Sequence, residues 1–242
     1  MKSETCRLVC SRANRLLLAA ALACCCRTST AALTNEGFDT PYDVNTNLPV
    51  FEPINTTLVD QWAAENALIV AGVNDGISPL NGDQMVKLLD DGTTGAKNEM
   101  KQRIDVSLDA AAIDAGLAVA IYFAHFNVPS GPVNARAEIY LNYLDALGNA
   151  FGMSPVLDSD SIGGLGVDVS TWQVLDLSGT PVPIGTRFIE AFIQYDNASL
   201  GAFAGYVDAT HLSLRAIPEP ATWGLFITAM LGTVAVRRTR RS

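Results

Sequence analysis

His125 and His211 are the only imidazoles in a chain of 242 residues, so they bound any acid–base chemistry at neutral pH. Both fall within alternating apolar segments, a setting that favours a packed or surface side chain over a metal ligand. There is no H-E-x-x-H helix, no G-x-S-x-G elbow and no phosphate-cradling glycine loop. Thiol chemistry is excluded from the body, because all five cysteines (Cys6, Cys10, Cys24, Cys25 and Cys26) precede Leu33. Two carboxylates at a suitable separation can hydrolyse a glycosidic bond, but 23 acids lie between Leu33 and Ile217 and no pair stands out. The expectation is a protein without enzymatic activity.

Sugar recognition is the other chemistry these residues could support, since aromatic faces stack on the C–H side of pyranose rings. Trp62, Tyr42, Tyr140 and Tyr143 are conceivable platforms. Tyr140 and Tyr143 are an odd number apart, so in one regular strand at most one of them faces outward. Trp172 opens a segment with Val174 and reads as core. Trp62, in the less regular stretch "LVDQWAAENALIVAG", is the preferred platform. The segment Asp158 to Asp168, "DSDSIGGLGVD", begins like a calcium-binding EF-hand loop but places Ile162 where a ligand is needed, and so reads as a flexible acidic loop.

The elements that would position these residues are short strands. Asp83–Asp90, Gln102–Leu108, Leu117–Val128, Ala135–Gly148, Thr186–Tyr195 and Ala204–Leu214 alternate or are wholly apolar, with Gly, Pro, Asn and Asp between them. Ile104, Val106 and Leu108 share one face by this pattern. Leu108 to Gly116 is a short helical turn or a loop, and Pro49 and Pro53 mark an irregular loop. Six or more strands separated by turn signals predict an all-β fold, a single antiparallel β-sandwich.

Both ends of the chain differ from this body. Lys2, Arg7, Arg12 and Arg15 precede an apolar run from Leu16 to Cys26, and small residues follow up to Ala32. This is the pattern of a cleaved secretory signal over residues 1–32. At the other end, Pro218-Glu219-Pro220 is a rigid extended tripeptide. It is followed by sixteen uncharged residues, Ala221 to Val236, and then by Arg237, Arg238, Arg240 and Arg241. A helix of that length reaches roughly 24 Å against a hydrocarbon core of ~30 Å, a marginal transmembrane span with a basic stop on the cytoplasmic side. Without its two ends the body has 7 basic and 23 acidic residues, a net charge of −16. Such a surface repels nucleic acid and suits cations.

Signal, body, Pro218-Glu219-Pro220, Trp223, apolar run and arginine cluster together resemble bacterial PEP-CTERM proteins. The resemblance implies processing by a membrane-embedded exosortase, transient inner-membrane anchoring through residues 217–242, and delivery of the body (residues 33–216) to the cell surface or extracellular matrix. The body in turn resembles jelly-roll carbohydrate-binding modules with a galactose-binding-like fold. "LTNEGFDT" matches their first strand, "TWQVLDLSGTPVPIGTRFIEAFIQY" a strand, loop and strand, and "GYVDATHLSL" the closing strand. That resemblance implies a structural calcium ion joining first strand to last, with Asp39 and Asp208 at the matching positions. The expected function is a structural or adhesive matrix protein. The alternative is a carbohydrate-binding module for extracellular polysaccharide, and a glycan-active enzyme ranks third.

Overall fold

The computed structural model describes residues 31–34, 36–38, 54–65, 67–89, 97–129, 135–166, 168–197 and 204–217. Residues 1–30 of the expected signal, Asp39, Tyr42 and the expected sorting tail from Pro218 onward lie outside them, whereas Ala31 and Ala32, placed in the signal by sequence, pack with the body. Twelve strands carry the described body: β1 Trp62–Ala64, β2 Ala67–Ala71, β3 Gln84–Leu89, β4 Lys97–Asp105, β5 Ala118–Asn127, β6 Ala135–Leu144, β7 Ala150–Met153, β8 Leu157–Asp158, β9 Gln173–Asp176, β10 Thr180–Pro181, β11 Phe188–Asn197 and β12 Ala204–Ala216. One helical turn, α1 (Ala110–Asp114), precedes β5. Residues 29–215 form one compact unit.

The strands form two antiparallel sheets. Sheet I runs β1-β4-β11-β6-β7, with β8 also paired to β6; sheet II runs β10-β5-β12-β3-β2, with β9 also paired to β5. The period-2 pattern explains the layering, because successive side chains of a strand point to opposite faces. In β5 the inward set is Ala118, Ala120, Tyr122, Ala124 and Phe126; in β6 it is Ala137, Ile139, Leu141 and Tyr143; in β11 it is Ile189, Ala191, Ile193 and Tyr195. These sets form one core between the sheets. At Gly205 in β12 a Cβ would drive into the Tyr195 ring, so only glycine fits there.

The main strands fall where alternation places them, and the β-sandwich follows from the observed pairing. Several local expectations are corrected. Leu108 does not continue the inward face of β4: the strand ends at Asp105, a 3-10 turn covers Ser107–Asp109, and Leu108 is 81% exposed. The irregular Trp62 stretch is two short strands, β1 and β2. The acidic segment after Leu157 is an ordered turn, in which Asp158 accepts a hydrogen bond from the Ser161 N–H at 3.0 Å and caps Ser159–Ile162. Among the described residues no helix is long and apolar enough to cross a membrane.

Candidate functional site

The outer face of sheet I is a lattice of polar and aromatic side chains set by strand register. Three rows cross β4, β11 and β6: Arg103, Glu190 and Asn142; then Lys101, Phe192 and Tyr140; then Glu99, Gln194 and Glu138. A sheet face turned from the core ordinarily meets water. Here Lys101, Glu190, Phe192, Gln194 and Glu138 are buried, while Arg103, Asn142, Tyr140 and Glu99 are half-buried.

Burying charge is costly unless each charge is paired, and the pairing is observed. Glu190 Oε1 accepts from Lys101 Nζ at 2.8 Å and from Arg103 Nη2 and Nε at 2.7 and 3.2 Å. Burial pushes the Glu190 carboxyl up, but the hydrogen bonds and charges of Lys101 and Arg103 outweigh it and hold the group below its ordinary value. At the β6 side, Arg136 bridges Asp158 at 2.5 Å and Glu138 at 3.3 Å.

The aromatic row has its own order. Tyr140 and Phe192 stack with centroids 4.7 Å apart and planes within 6°, and Lys101 Nζ lies 5.4 Å from the centre of the Phe192 ring. β4 and β6 flank β11, so Lys101 and Tyr140 approach Phe192 from opposite sides. Tyr140, half-buried where Phe192 is 7% exposed, is the more exposed ring of the row. Burial, with Glu99, Glu138 and Glu190 nearby, raises its phenol to about 12, so the hydroxyl stays protonated and can donate. From inside, the buried Tyr122 hydroxyl donates to the Phe192 carbonyl at 2.8 Å and ties sheet II to this row.

The residues singled out by sequence are dispersed. Trp62 is not a platform: it is 2% exposed, its ring lies 5.4 Å from Phe38, and its indole N–H donates to the Thr34 carbonyl at 3.1 Å. Its phase in β1 turns it into the core, and the N-terminal segment covers it. Tyr143 is inward and Tyr140 outward, as their odd separation requires. Trp172 is not in the main core either: half-buried on the outer side of sheet II, it packs with Ile77, Met85 and Tyr206. Asp208 is fully buried, and its carboxylate accepts the N–H groups of Leu80, Asn81 and Ala209 at 2.6, 3.0 and 2.6 Å. It thereby holds the turn before β3. Among the described residues no three His, Cys, Asp or Glu come together to hold a metal ion.

Sequence reasoning missed Lys101, Arg103, Glu190, Phe192 and Gln194. A signal existed in "FIEAFIQY", where two phenylalanines occupy the phase opposite to the core positions Ile189, Ala191 and Ile193.

No family model and no curated protein matches the chain. Among solved structures it is similar to TmCBM61 in complex with β-1,4-galactotriose, at 14% identity and TM-score 0.42, over 79% of this chain and 99% of that one. It is similar to the CBM22-1 xylan-binding domain from Paenibacillus barcinonensis, at 13% identity and TM-score 0.40, over 66% and 90%. It is also similar to a Stig cyclase from Fischerella sp. TAU, at 10% identity and TM-score 0.49, over 78% and 99%. Binding modules and enzymes thus both occur among the similar structures. The fold assignment rests on the strands themselves.

Proposed function

We propose that the protein is an exported carbohydrate-binding module whose site is the outer face of sheet I. The observation that carries this is the lattice itself: charged, amide and aromatic side chains held in fixed positions on a face turned from the core. Rigid, pre-paired groups lose little entropy when they meet a ligand. Tyr140 offers an aromatic ring and a protonated hydroxyl, and the half-buried Asn142 adds an amide donor and acceptor suited to sugar hydroxyls. Export and retention are part of the proposal and rest on the two ends of the chain. The signal segment directs secretion, and Pro218, Glu219, Pro220 and the terminal arginines direct processing by an exosortase-type enzyme. The body then acts at the cell surface or matrix, where a calcium ion between Asp39 and Asp208 would add stability.

Affinity electrophoresis of residues 31–217 through gels containing extracellular polysaccharide tests the site. Tyr140→Ala is expected to weaken binding about tenfold or more, as loss of a central anchor does. Trp62→Ala is expected to lower stability by about 3–5 kcal/mol, as for a core aromatic, with unchanged affinity for the molecules that remain folded. Equal retardation of wild type and Tyr140→Ala would remove the face from consideration.

A further inference from the structure

The strand β12 carries the sequence His211-Leu212-Ser213-Leu214-Arg215 toward its end. Leu212 and Leu214 are buried in the core, so alternation turns His211, Ser213 and Arg215 together onto the outer face of sheet II. His211 Nε2 lies 3.0 Å from Ser213 Oγ, and His211 Nδ1 lies 2.8 Å from Glu36 Oε1. The N-terminal segment brings Glu36 there. Ala32 bridges Ser213, Leu33 N–H donates to the Leu212 carbonyl, and the Thr210 N–H and hydroxyl both donate to the Glu36 carbonyl at 2.9 and 3.0 Å.

Proton placement along this chain follows from donor and acceptor chemistry. An ionised carboxylate only accepts, so Nδ1 carries the hydrogen and donates to Glu36. Nε2 of the neutral ring is then an acceptor, and the Ser213 hydroxyl donates to it. Phe123 stacks on the imidazole, with centroids 5.1 Å apart and planes within 24°, and fixes the ring plane. The His211 and Glu36 side chains are 32% and 37% exposed, so the group is open to a dissolved substrate. Hydroxyl, imidazole and orienting carboxylate in this order are what activates a serine nucleophile.

We propose that Ser213 and His211, positioned by Glu36, form a site for hydrolysis of carboxylic esters with small acyl groups. Ser213 Oγ attacks the acyl carbonyl carbon while its proton passes to His211 Nε2. The tetrahedral intermediate collapses, the ester C–O bond breaks, and the leaving alkoxide takes that proton and departs as the alcohol. Water then attacks the acyl-serine and gives a proton to Nε2. Collapse returns that proton to Ser213 Oγ and frees the carboxylic acid. The sum is ester plus water giving alcohol plus acid, with no redox partner. Arg215, two residues along, shares this outer face by alternation and is exposed. Among the described residues it pairs with no carboxylate within salt-bridge distance. The site lies on the sheet opposite the proposed polysaccharide face and does not depend on it.

The full chain incubated with p-nitrophenyl acetate tests this. The wild type is expected to release p-nitrophenolate and to carry an acetyl group on Ser213, located by mass spectrometry of the acid-quenched protein. Ser213→Ala should remove the adduct and lower the rate about a hundredfold or more, the scale of general-base and nucleophilic assistance. Glu36→Gln should keep the adduct but slow its formation, and Glu36→Asp should restore part of the rate. His125→Asn, which removes the neighbouring imidazole beside Phe123, controls for unspecific imidazole catalysis and should change nothing. Thermal melts establish that each variant is folded. Absence of a Ser213 adduct in the folded wild type, or hydrolysis by Ser213→Ala at the wild-type rate, overturns the proposal.

Discussion

On the outer face of sheet I, Glu190 holds Lys101 and Arg103 with none of the three side chains more than 12% exposed. On the outer face of sheet II, Asp75 holds Lys87 at 2.7 Å with side chains 46% and 20% exposed. The contact distances are nearly the same in the two places, but Glu190 meets two cations where Asp75 meets one, and the surroundings differ. In water an ion pair exchanges one set of good partners for another and contributes ~0–1 kcal/mol. Where the side chains are largely buried each charge depends on its partner, so removing one strands the other. The difference teaches that the sheet I face is held rigid by mutual need. The sheet II pair merely pins the turn around Asn74 and Asp75 over Tyr206.

The largest expected effect comes from Glu190→Gln, which keeps the shape and leaves Lys101 and Arg103 without their counter-charge. Urea unfolding should show a loss of about 3–5 kcal/mol, the cost of breaking a buried pair. The pH dependence follows from the lowered carboxyl. A folded value below the unfolded one means that the stabilisation is present in full above the ordinary glutamate value of roughly 4.3 and is lost as pH falls through the folded value. Wild type should therefore lose stability faster than Glu190→Gln in acid, and the gap should close. A loss below about 1 kcal/mol at neutral pH would place this pair in the exposed class and end the contrast between the faces.

Trp172 sharpens the contrast from the apolar side. It packs with Ile77, Met85, Tyr206 and Val169 outside the main core, and its indole N–H donates to the Ser78 carbonyl at 3.1 Å. A fully buried tryptophan costs about 3–5 kcal/mol when cut to alanine. Half-burial in a satellite cluster should make Trp172→Ala cost roughly 2 kcal/mol. Proteolysis should show the loosening around residues 72–78 before the strands open. A loss as large as that of Trp62→Ala would make the satellite cluster part of the main core.

How far the sequence could foresee these faces depends on the period of a strand. Alternation in Ala135–Leu144 and Phe188–Asn197 gave the sandwich and separated Tyr140 from Tyr143, because that period is a property of the backbone. It could not say which outward face meets water, since β4, β11 and β6 become neighbours only through long connections. Lys101, Glu190 and Asn142 look like ordinary solvated residues until register sets their rows abreast. Trp62 was misplaced for a related reason. Its partners Phe38 and Thr34 arrive from an N-terminal segment without a regular pattern. His211 and Ser213 are adjacent in phase and legible as a pair, but Glu36 lies far away in sequence and nothing local pointed to it.

The smallest effect is expected at Asp75→Asn, and it is the most discriminating. Lys87 Nζ also reaches Asn74 Oδ1 at 3.1 Å, and the Tyr206 hydroxyl lies 2.6 Å from both Asn74 Oδ1 and Asp75 Oδ2. Each donor therefore retains an acceptor after the change. Asp75 has φ +49°, the left-handed region that asparagine tolerates as well as aspartate. No backbone cost offsets the result. Loss of charge alone should remove about 0.2–1 kcal/mol, measured by urea unfolding. Salt then separates the two faces. At 1 M the screening length is about 3 Å, so the difference between wild type and Asp75→Asn should shrink toward zero. The Glu190→Gln difference should largely persist, because a largely buried pair is screened much less than an exposed one. If both differences collapse together in salt, Lys101 and Arg103 are as open to water as Lys87, and the lattice on sheet I is an ordinary solvated surface.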